Sequence, residues 1–322
     1  MNKSIKISLN YLLGSVIFIL LSFSLYKQLV HQKDFYSSWE RIKSSWHSAF
    51  FWLVFFLMFI NWGLETIKWE KMMRPLETIS FNNAFKAVLA GCSITMITPN
   101  RIGEYGGRIL FVAKENRIKA ISISILSGIS QLIITFLIGC MGLFFLKYQT
   151  DADSGIIKIL GNNLIIGVSV VSCIALLLLF LNVDLFIKLF SKWTFFNKIT
   201  KNVAIVTIYT KKELLRILIL SLLRYLVFIL QYLIILRVMN VLIEPTICIS
   251  LISIFYLMMA LAPTIGIIEL PVRATAASMI LGVYNTNMLG IQAAVFAIWL
   301  INLFIPSLLG SMFFLKTTQK IK

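Results

Sequence analysis

The sequence predicts an all-α polytopic membrane protein with about six full spans and two hairpins that are broken at prolines. Hydrophobic residues make up 59% of the 322 residues and charged residues only 13%, whereas soluble domains usually carry about 25% charged residues. The mean hydropathy is +0.90. We therefore exclude a soluble globular enzyme and expect a single membrane domain over residues 1–322.

Six apolar segments approach the length of about 20 residues that a transmembrane helix needs. The first segment follows Lys3 and Lys6, as a signal peptide would, but its apolar run is long and no cleavage site of small residues follows it. We therefore predict that it is an uncleaved span. The six predicted spans are residues 9–26, 50–67, 121–146, 164–181, 217–236 and 291–315.

Two further apolar regions, residues 84–113 and 247–283, are interrupted by Pro99 and Pro263. Each half would reach roughly 18–24 Å as a helix, which is less than the hydrocarbon core of about 30 Å. Two short helices separated by a proline indicate a re-entrant hairpin or a discontinuous helix, and we predict hairpins. Such backbone exists at membrane depth only where protein or a wet cavity surrounds it.

The distribution of basic residues supports this topology. The chain has 30 Lys and Arg against 13 Asp and Glu, a net charge of +17. With the N-terminus inside, 19 basic residues fall in inside segments, Lys68 among them, and seven fall outside. Because cytoplasmic loops collect Lys and Arg, we predict a multi-pass protein of the cell inner membrane with both termini in the cytoplasm. The same bias explains the charge without nucleic acid as a partner.

The topology divides the chain into two halves, residues 1–147 and 217–322, joined by a link over 148–216. Residues 184–216 of the link mix aromatic side chains with regularly placed lysines, so we expect helices in the cytoplasmic interface; an ordinary basic linker is the alternative. One hairpin enters from the cytoplasm and the other from outside. The two halves therefore form a predicted inverted repeat, as in many secondary transporters.

The two proline breaks share a pattern of proline, glycine, glutamate, and arginine four residues after the glutamate. Glu and Arg at this spacing lie on one helical face and can pair, and each Glu sits near a helix N-terminus, which favours an anion. A purely structural role in pinning the hairpin tips is the alternative. The members of the pattern are Pro99, Gly103, Glu104 and Arg108 in the first break and Pro263, Gly266, Glu269 and Arg273 in the second.

Four of the 30 basic residues are not in any inside or outside loop of the predicted topology, namely Arg101, Arg108, Arg224 and Arg273. An ionisable residue inside a membrane indicates a functional site, and arginine suits bidentate binding of phosphate. We predict that the arginines of the breaks bind the anionic headgroup of a phospholipid or polyprenyl phosphate. Glu104 and Glu269 would orient these arginines or bind a cationic headgroup. Arg224 either joins the site or snorkels to the interface.

Other polar residues carry weaker signals. Interhelical hydrogen bonds suffice to explain Asn61 and Glu65 in the second predicted span. The four cysteines are scattered, and the two histidines, His31 and His47, share one loop, so we expect no metal and no cofactor. The sequence has no nucleotide motif and no nucleophile beside a base. We therefore do not expect an enzyme.

The first break reads TPNRIGEYGGR over residues 98–108, which resembles the TPGRxGE…R signature of the lysylphosphatidylglycerol synthase transmembrane-region family, also called flippase-like. Residues 263–269 are similar to the late motif of that family, and residues 68–75 are similar to its Arg/Lys-Trp-x-x-Leu-Leu segment. Asn100 replaces the usual glycine, and the second turn has only one glycine. The order and spacing of the elements match over nearly the whole chain.

The resemblance implies an integral-membrane module that is linked to moving modified lipids between leaflets. In the lysylphosphatidylglycerol synthases this module precedes a soluble aminoacyl-transferase domain, and we do not expect that activity here because the last predicted span ends close to Lys322. The first hypothesis is therefore a lipid translocator. The alternatives are a partner that docks a separate lipid-modifying synthase or glycosyltransferase, and a membrane-embedded enzyme that uses Glu104 or Glu269 as a general base on a lipid phosphate.

Overall fold

A computed structural model describes residues 35–96, 98, 102–149, 162–184, 204–262 and 266–321. Within these ranges the chain forms α-helices and short turns, without a β-strand. The helices are α1 Phe35–Ser44, α2 Ala49–Met73, α3 Phe81–Thr95, α4 Gly103–Arg108, α5 Arg117–Gln149, α6 Asn163–Leu181, α7 Lys211–Val238, α8 Pro245–Leu261, α9 Gly266–Leu281, α10 Met288–Trp299 and α11 Ile305–Ile321. A π-helical turn, Leu300–Phe304, joins α10 to α11.

Five helical segments of the described ranges are long and apolar enough to cross a bilayer. They correspond to the second through sixth predicted spans, so the all-α polytopic membrane fold is confirmed. The first predicted span, residues 9–26, lies outside the described residues. The five segments are Ala49–Met73, Lys114–Tyr148, Asn163–Leu181, Lys211–Val238 and Met288–Phe314.

Two helices are longer than the predicted spans. Helix α2 continues to Met73, so Lys68 lies inside the helix and is buried; its assignment to a basic inside loop is wrong. Helix α7 begins at Lys211 because Thr210 and Glu213 form a reciprocal capping box there. The end of the predicted interfacial segment 184–216 therefore belongs to this helix, and residues 185–203 of that segment lie outside the described residues.

Both proline-broken regions form pairs of short helices that pack against each other, α3 with α4 and α8 with α9. Helix α4 has only six residues, because the chain tightens into a 3-10 turn, Ile109–Phe111, directly after Arg108. The second half of the first hairpin is therefore a shorter α-helix than the predicted range 102–113. Helix α9 begins at Gly266, earlier than the predicted Val272.

Small residues allow close approach where α3 meets its neighbours. A Cβ atom added at Gly107 of α4 would lie 2.5 Å from the carbonyl oxygen of Ala90, and one added at Gly310 of α11 would lie 1.8 Å from the carbonyl oxygen of Leu89. Close backbone approach through small residues is a common basis of helix packing in membranes. Helix α3 is thereby held between α4 and α11.

The C-terminus of α2 and the N-termini of α5 and α7 lie at the same end of the helix bundle. The Glu77 carboxylate, after α2, accepts hydrogen bonds from the Ala113 amide at 3.2 Å and the Asn116 side chain at 3.1 Å, just before α5. The Tyr209 hydroxyl, just before α7, donates to the Met72 carbonyl. These contacts gather three loop regions into one surface, which we call the loop end.

Candidate functional site

Glu65 of α2 is the centre of a buried ionic cluster. Its carboxylate lies 2.8 Å from the Arg108 guanidinium, 2.8 Å from the Arg224 guanidinium and 2.9 Å from Lys68 Nζ. The side chains of Glu65, Lys68 and Arg108 are only 1–3% exposed. Charges buried this deeply are tolerated only when they are paired and hydrogen-bonded. We call these four residues together with Glu104 the hub.

Three helices supply the hub. Glu65 and Lys68 are three residues apart on α2 and therefore share a helix face. Arg108 comes from α4 in the first hairpin, and Arg224 comes from the middle of α7. The hub thus ties a proline-broken hairpin to two transmembrane helices.

Both glutamate–arginine pairs that the spacing predicts are present. Glu104 pairs with Arg108, and Arg273 donates from Nε at 2.8 Å and from Nη2 at 2.6 Å to one Glu269 oxygen. The first pair does not stand alone, because Arg108 also binds Glu65. A role that is limited to pinning a hairpin tip therefore does not describe the first pair.

Arg224 does not snorkel toward the interface. Its Nη1 donates to Glu65 at 2.8 Å and its Nε donates to Asn61 Oδ1 at 2.6 Å. The guanidinium also lies 5.3 Å from the centre of the Trp62 ring and 5.5 Å from that of Phe228, within the range of cation–π attraction. Of the two readings of Arg224, the geometry favours membership of the site.

A relay of side-chain amides extends from Arg224. Asn61 Nδ2 lies 3.4 Å from Asn302 Oδ1, Asn302 Nδ2 donates to Gln231 Oε1 at 3.0 Å, and Gln231 donates to a backbone carbonyl of α2 at 2.9 Å. Asn302 lies on the π-turn, a local geometry that is often found at functional sites. The relay fixes the Asn61 amide so that its oxygen faces Arg224.

A cavity of about 560 Å³ lies beside the hub, within the usual size range of ligand sites. Its wall includes aliphatic side chains such as Ile129, Leu132 and Met259. Two more lining residues, Ile125 and Leu261, are 41% and 64% exposed, so the cavity reaches the outer surface of the helix bundle. The charged lining residues are Glu65, Lys68, Glu104, Arg224, Glu269 and Arg273.

The cavity brings both broken hairpins to one space, since α4 contributes Glu104 and α9 contributes Glu269 and Arg273. Of the other predicted site residues, Arg224 also lines the cavity, and Arg108 binds two residues that do. Gly103 begins α4 and Gly266 begins α9. Outside the described residues lie Arg101, Pro99 and Pro263.

Cations outnumber anions by one around this cavity, counted over the described residues of the hub and the second pair. A net positive charge favours an anionic ligand. No three His, Cys, Asp or Glu side chains in the described ranges form a group that could hold a metal ion. The cations are Lys68, Arg108, Arg224 and Arg273, and the anions are Glu65, Glu104 and Glu269.

Sequence reasoning missed Glu65 and Lys68 as site residues. Glu65 was explained by interhelical hydrogen bonds, whereas it forms ion pairs with three cations. A signal was present, because opposite charges three residues apart at the end of an apolar segment can pair within one helix. Asn302 and Gln231 carry no comparable signal, since their contact depends on how α7 meets the π-turn.

Comparison with known proteins adds one match. The model of the family described as the lysylphosphatidylglycerol synthase TM region matches residues 11–310, a range that includes the hub and both hairpins. None of the curated proteins matches the chain significantly, and none of the solved structures does.

Proposed function

We propose that this chain, which belongs to the lysylphosphatidylglycerol synthase TM region family, moves an anionic or modified lipid between the leaflets of the bilayer. The family supports a membrane protein of lipid metabolism or transport. The cavity supports the more specific proposal of lipid movement between leaflets, because charged side chains from both broken hairpins line it. The cargo would be a phospholipid or a polyprenyl-phosphate-linked lipid.

The main physical obstacle to lipid translocation is the cost of placing a charged headgroup in hydrocarbon, and the charged cavity would lower that cost. The arginines of the cavity are already held by carboxylates, and phosphate oxygens can bind the remaining N–H donors of the same guanidinium groups without displacing those carboxylates. The buried cations would then never be left unpaired. The aliphatic lining and the exposed side chains Ile125 and Leu261 would accommodate the lipid chains.

We propose that the loop end faces the cytoplasm of a cell whose inner membrane holds the protein. Exposed basic residues concentrate there, and such residues mark cytoplasmic loops. Helix α11 runs antiparallel to α3, since Ser307 contacts Cys92 while Gly310 approaches Leu89; its C-terminus therefore points to the same end. The exposed basic residues are Lys71, Arg74, Lys114, Lys211, Lys212 and Arg216.

Single cysteine substitutions test this orientation. All four native cysteines are buried, whereas Lys71 at the loop end is exposed and Tyr148 at the opposite end of α5 is 71% exposed. In intact spheroplasts a membrane-impermeant thiol reagent should label Tyr148→Cys and should label Lys71→Cys only after permeabilisation. The reverse labelling pattern would invert the proposed topology.

Translocation itself is tested in proteoliposomes that contain a fluorescent anionic phospholipid. Arg273→Gln and Arg224→Gln should slow its movement about tenfold or more, because each removes charge-assisted hydrogen bonds worth roughly 1.5–3 kcal/mol. Arg74→Gln is the matched control, since the Arg74 side chain is 62% exposed and lies away from the cavity. If Arg273→Gln and Arg224→Gln keep the wild-type rate, the assignment of these arginines to the site is wrong. If the wild-type protein moves no lipid, the proposed function is wrong.

A further inference from the structure

We infer that Lys68 of the hub is a proton-binding site, and that a proton on its Nζ atom travels with an anionic lipid in the same direction across the membrane. The site is argued from the geometry of the hub alone. The coupling to lipid rests on the proposed function. Because a lipid anion and a proton carry opposite charges, their joint movement transfers no net charge across the bilayer.

Three cations share the single carboxylate of Glu65. Its Oε2 atom lies 2.9 Å from Lys68 Nζ and 2.8 Å from Arg224 Nη1, and its Oε1 atom lies 2.8 Å from Arg108 Nη2. Neighbouring like charges disfavour the charged form of each group. Guanidinium groups do not lose a proton in proteins, whereas a buried lysine can. Lys68 is therefore the member of this group that can relieve the repulsion by releasing a proton.

The other two contacts of Lys68 are long. Its Nζ atom lies 3.4 Å from the Ser127 carbonyl oxygen and 3.3 Å from Ser221 Oγ, beyond the range of about 2.7–3.2 Å that most N–H···O bonds occupy. Among the described residues, only Glu65 offers the ammonium group a close acceptor. Loss of one proton therefore gives up a weak hydrogen bond and keeps the strong one.

Two hydroxyls beside Lys68 suit both of its protonation states. Ser221 Oγ lies 2.8 Å from Ser130 Oγ, and either atom can be the donor. When Nζ is charged it donates to Ser221, and Ser221 donates to Ser130. When Nζ is neutral, the Ser221 hydroxyl can turn and donate to the nitrogen lone pair, while Ser130 keeps its bond to the Ser127 carbonyl oxygen at 2.6 Å. Both states therefore satisfy the hydrogen-bonding groups around Nζ, as buried polar groups require.

The charged neighbours of Lys68 belong to the hub. Helix α5 contributes serines, because its sequence between Lys119 and Cys140 has no titratable side chain. Helix α3 also packs against α2, and its titratable residues are Lys86, which is partly exposed, and Cys92, whose buried thiol contacts α11. The facing titratable and charged groups are Glu65 on α2, Glu104, Tyr105 and Arg108 on α4, and Arg224 and Tyr225 on α7. The carboxylates are paired with arginines and tyrosine is neutral near pH 7, so the charges of these groups stay fixed while that of Lys68 can change.

The cavity connects Lys68 with both the proton and the lipid. Lys68 is one of its lining residues, so the proton can pass between Nζ and water in the cavity. Only 2% of the Lys68 side chain is exposed, which limits this exchange and therefore limits proton leak. A phosphate bound to Arg224, another lining residue, would bring a negative charge close to Nζ and favour its protonated form. By linkage, a protonated Lys68 favours binding of the lipid to the same extent.

Proteoliposomes with a pH gradient test the coupling. The vesicles contain the purified full-length protein and a trace of fluorescent phosphatidylglycerol, and valinomycin with equal potassium on both sides holds the membrane potential at zero. A difference of about 1 pH unit should drive the labelled lipid toward the alkaline side, because protons move that way. Coupling of one proton to one lipid allows about tenfold enrichment in the leaflet on that side, since one pH unit is tenfold in proton concentration.

Proton uptake by the detergent-purified protein supplies a readout that needs no transport. Phosphatidylglycerol added in weakly buffered solution with a pH indicator should raise the pH, because the bound lipid favours protonated Lys68. The measurement is repeated across a series of starting pH values. The pH at which uptake is half-maximal then reports the proton affinity of the site.

Two substitutions test the assignment to Lys68. Lys68→Arg keeps the positive charge but has no releasable proton, so it should abolish both the enrichment and the proton uptake. Ser221→Ala removes the hydroxyl that pairs with the neutral amine, so it should move the midpoint of uptake upward by about 0.7 pH unit, since a hydrogen bond changes an affinity about fivefold. Lys71→Arg, at an exposed position of the same helix, is the control, and thermal melting verifies folding.

Movement of lipid without a response to the gradient and without proton uptake would overturn the inference and leave the proposed translocation standing. Enrichment on the acidic side, or an unchanged response in folded Lys68→Arg, would also overturn it. If Lys68→Arg does not fold, an unchanged midpoint in Ser221→Ala overturns the assignment. Proton uptake that the substitutions alter, without movement of any lipid, would support the proton site and defeat the proposed translocation. Absence of both lipid movement and proton uptake would overturn both.

Discussion

Replacing Glu65 with alanine is expected to lower the free energy of unfolding by about 3–5 kcal/mol, the cost of leaving a buried charge without its partner. The substitution removes the carboxylate that Lys68, Arg108 and Arg224 share. Only Glu104 would then remain to offset three cations in the hub. Thermal melting of the detergent-purified protein measures the loss, and we also expect poor recovery from the membrane.

Two controls separate the effect of losing the Glu65 charge from the effect of losing side-chain atoms. Glu70→Ala removes a carboxylate from the same helix, but Glu70 pairs with the exposed Arg74, so it should cost less than about 1 kcal/mol. The double substitution Glu65→Gln with Lys68→Met restores the original net charge of the hub. It should therefore melt above Glu65→Gln alone, and a double variant that melts lower would contradict the charge-balance account.

Replacing Gly107 with alanine should separate α4 from α3. The added Cβ would lie 2.5 Å from the carbonyl oxygen of Ala90 and from backbone atoms of Gly91. Backbone atoms cannot rotate away as a side chain can, so we expect a loss of about 3 kcal/mol, at the upper end for overpacked interiors. The shift would also move Arg108 away from Glu65, and transport in proteoliposomes should fall with stability.

The neighbouring glycine supplies the matched control for this prediction. A Cβ added at Gly106 meets nothing within 4 Å. Gly106→Ala therefore changes the same short helix in the same way without a collision, and its melting temperature should stay within the small range typical of surface changes. If both variants melt alike, close packing of α3 on α4 is not what positions the hairpin.

Much of the fold could be predicted because hydropathy over about 20 residues depends on local sequence alone. The long helices α2, α5, α6 and α7 follow from it directly. The glutamate–arginine pairs could also be predicted, since a spacing of four residues fixes their relative position in any helix. Local regularity was sufficient for these features.

The hub could not be predicted, because it depends on which helices meet. Nothing in the neighbourhood of Glu65 indicates that Arg108 and Arg224 come to it from α4 and α7. Lys68 was misplaced for a related reason: hydropathy treats a lysine as the end of a span, whereas this lysine pairs with Glu65 and also donates to the Ser127 carbonyl of α5 and the Ser221 hydroxyl of α7. Burial of a charge is decided by its tertiary partners.

The π-turn between α10 and α11 sets the rotational phase of the last transmembrane segment. One residue added to an α-helical turn rotates everything beyond it by about 100° about the helix axis. Before the turn and within it, Ile298, Trp299 and Asn302 face the cavity. After it, Ser307 and Gly310 face α3. The continuous helix from α10 to α11 thus presents one side to the cavity up to the turn and a different side to α3 beyond it.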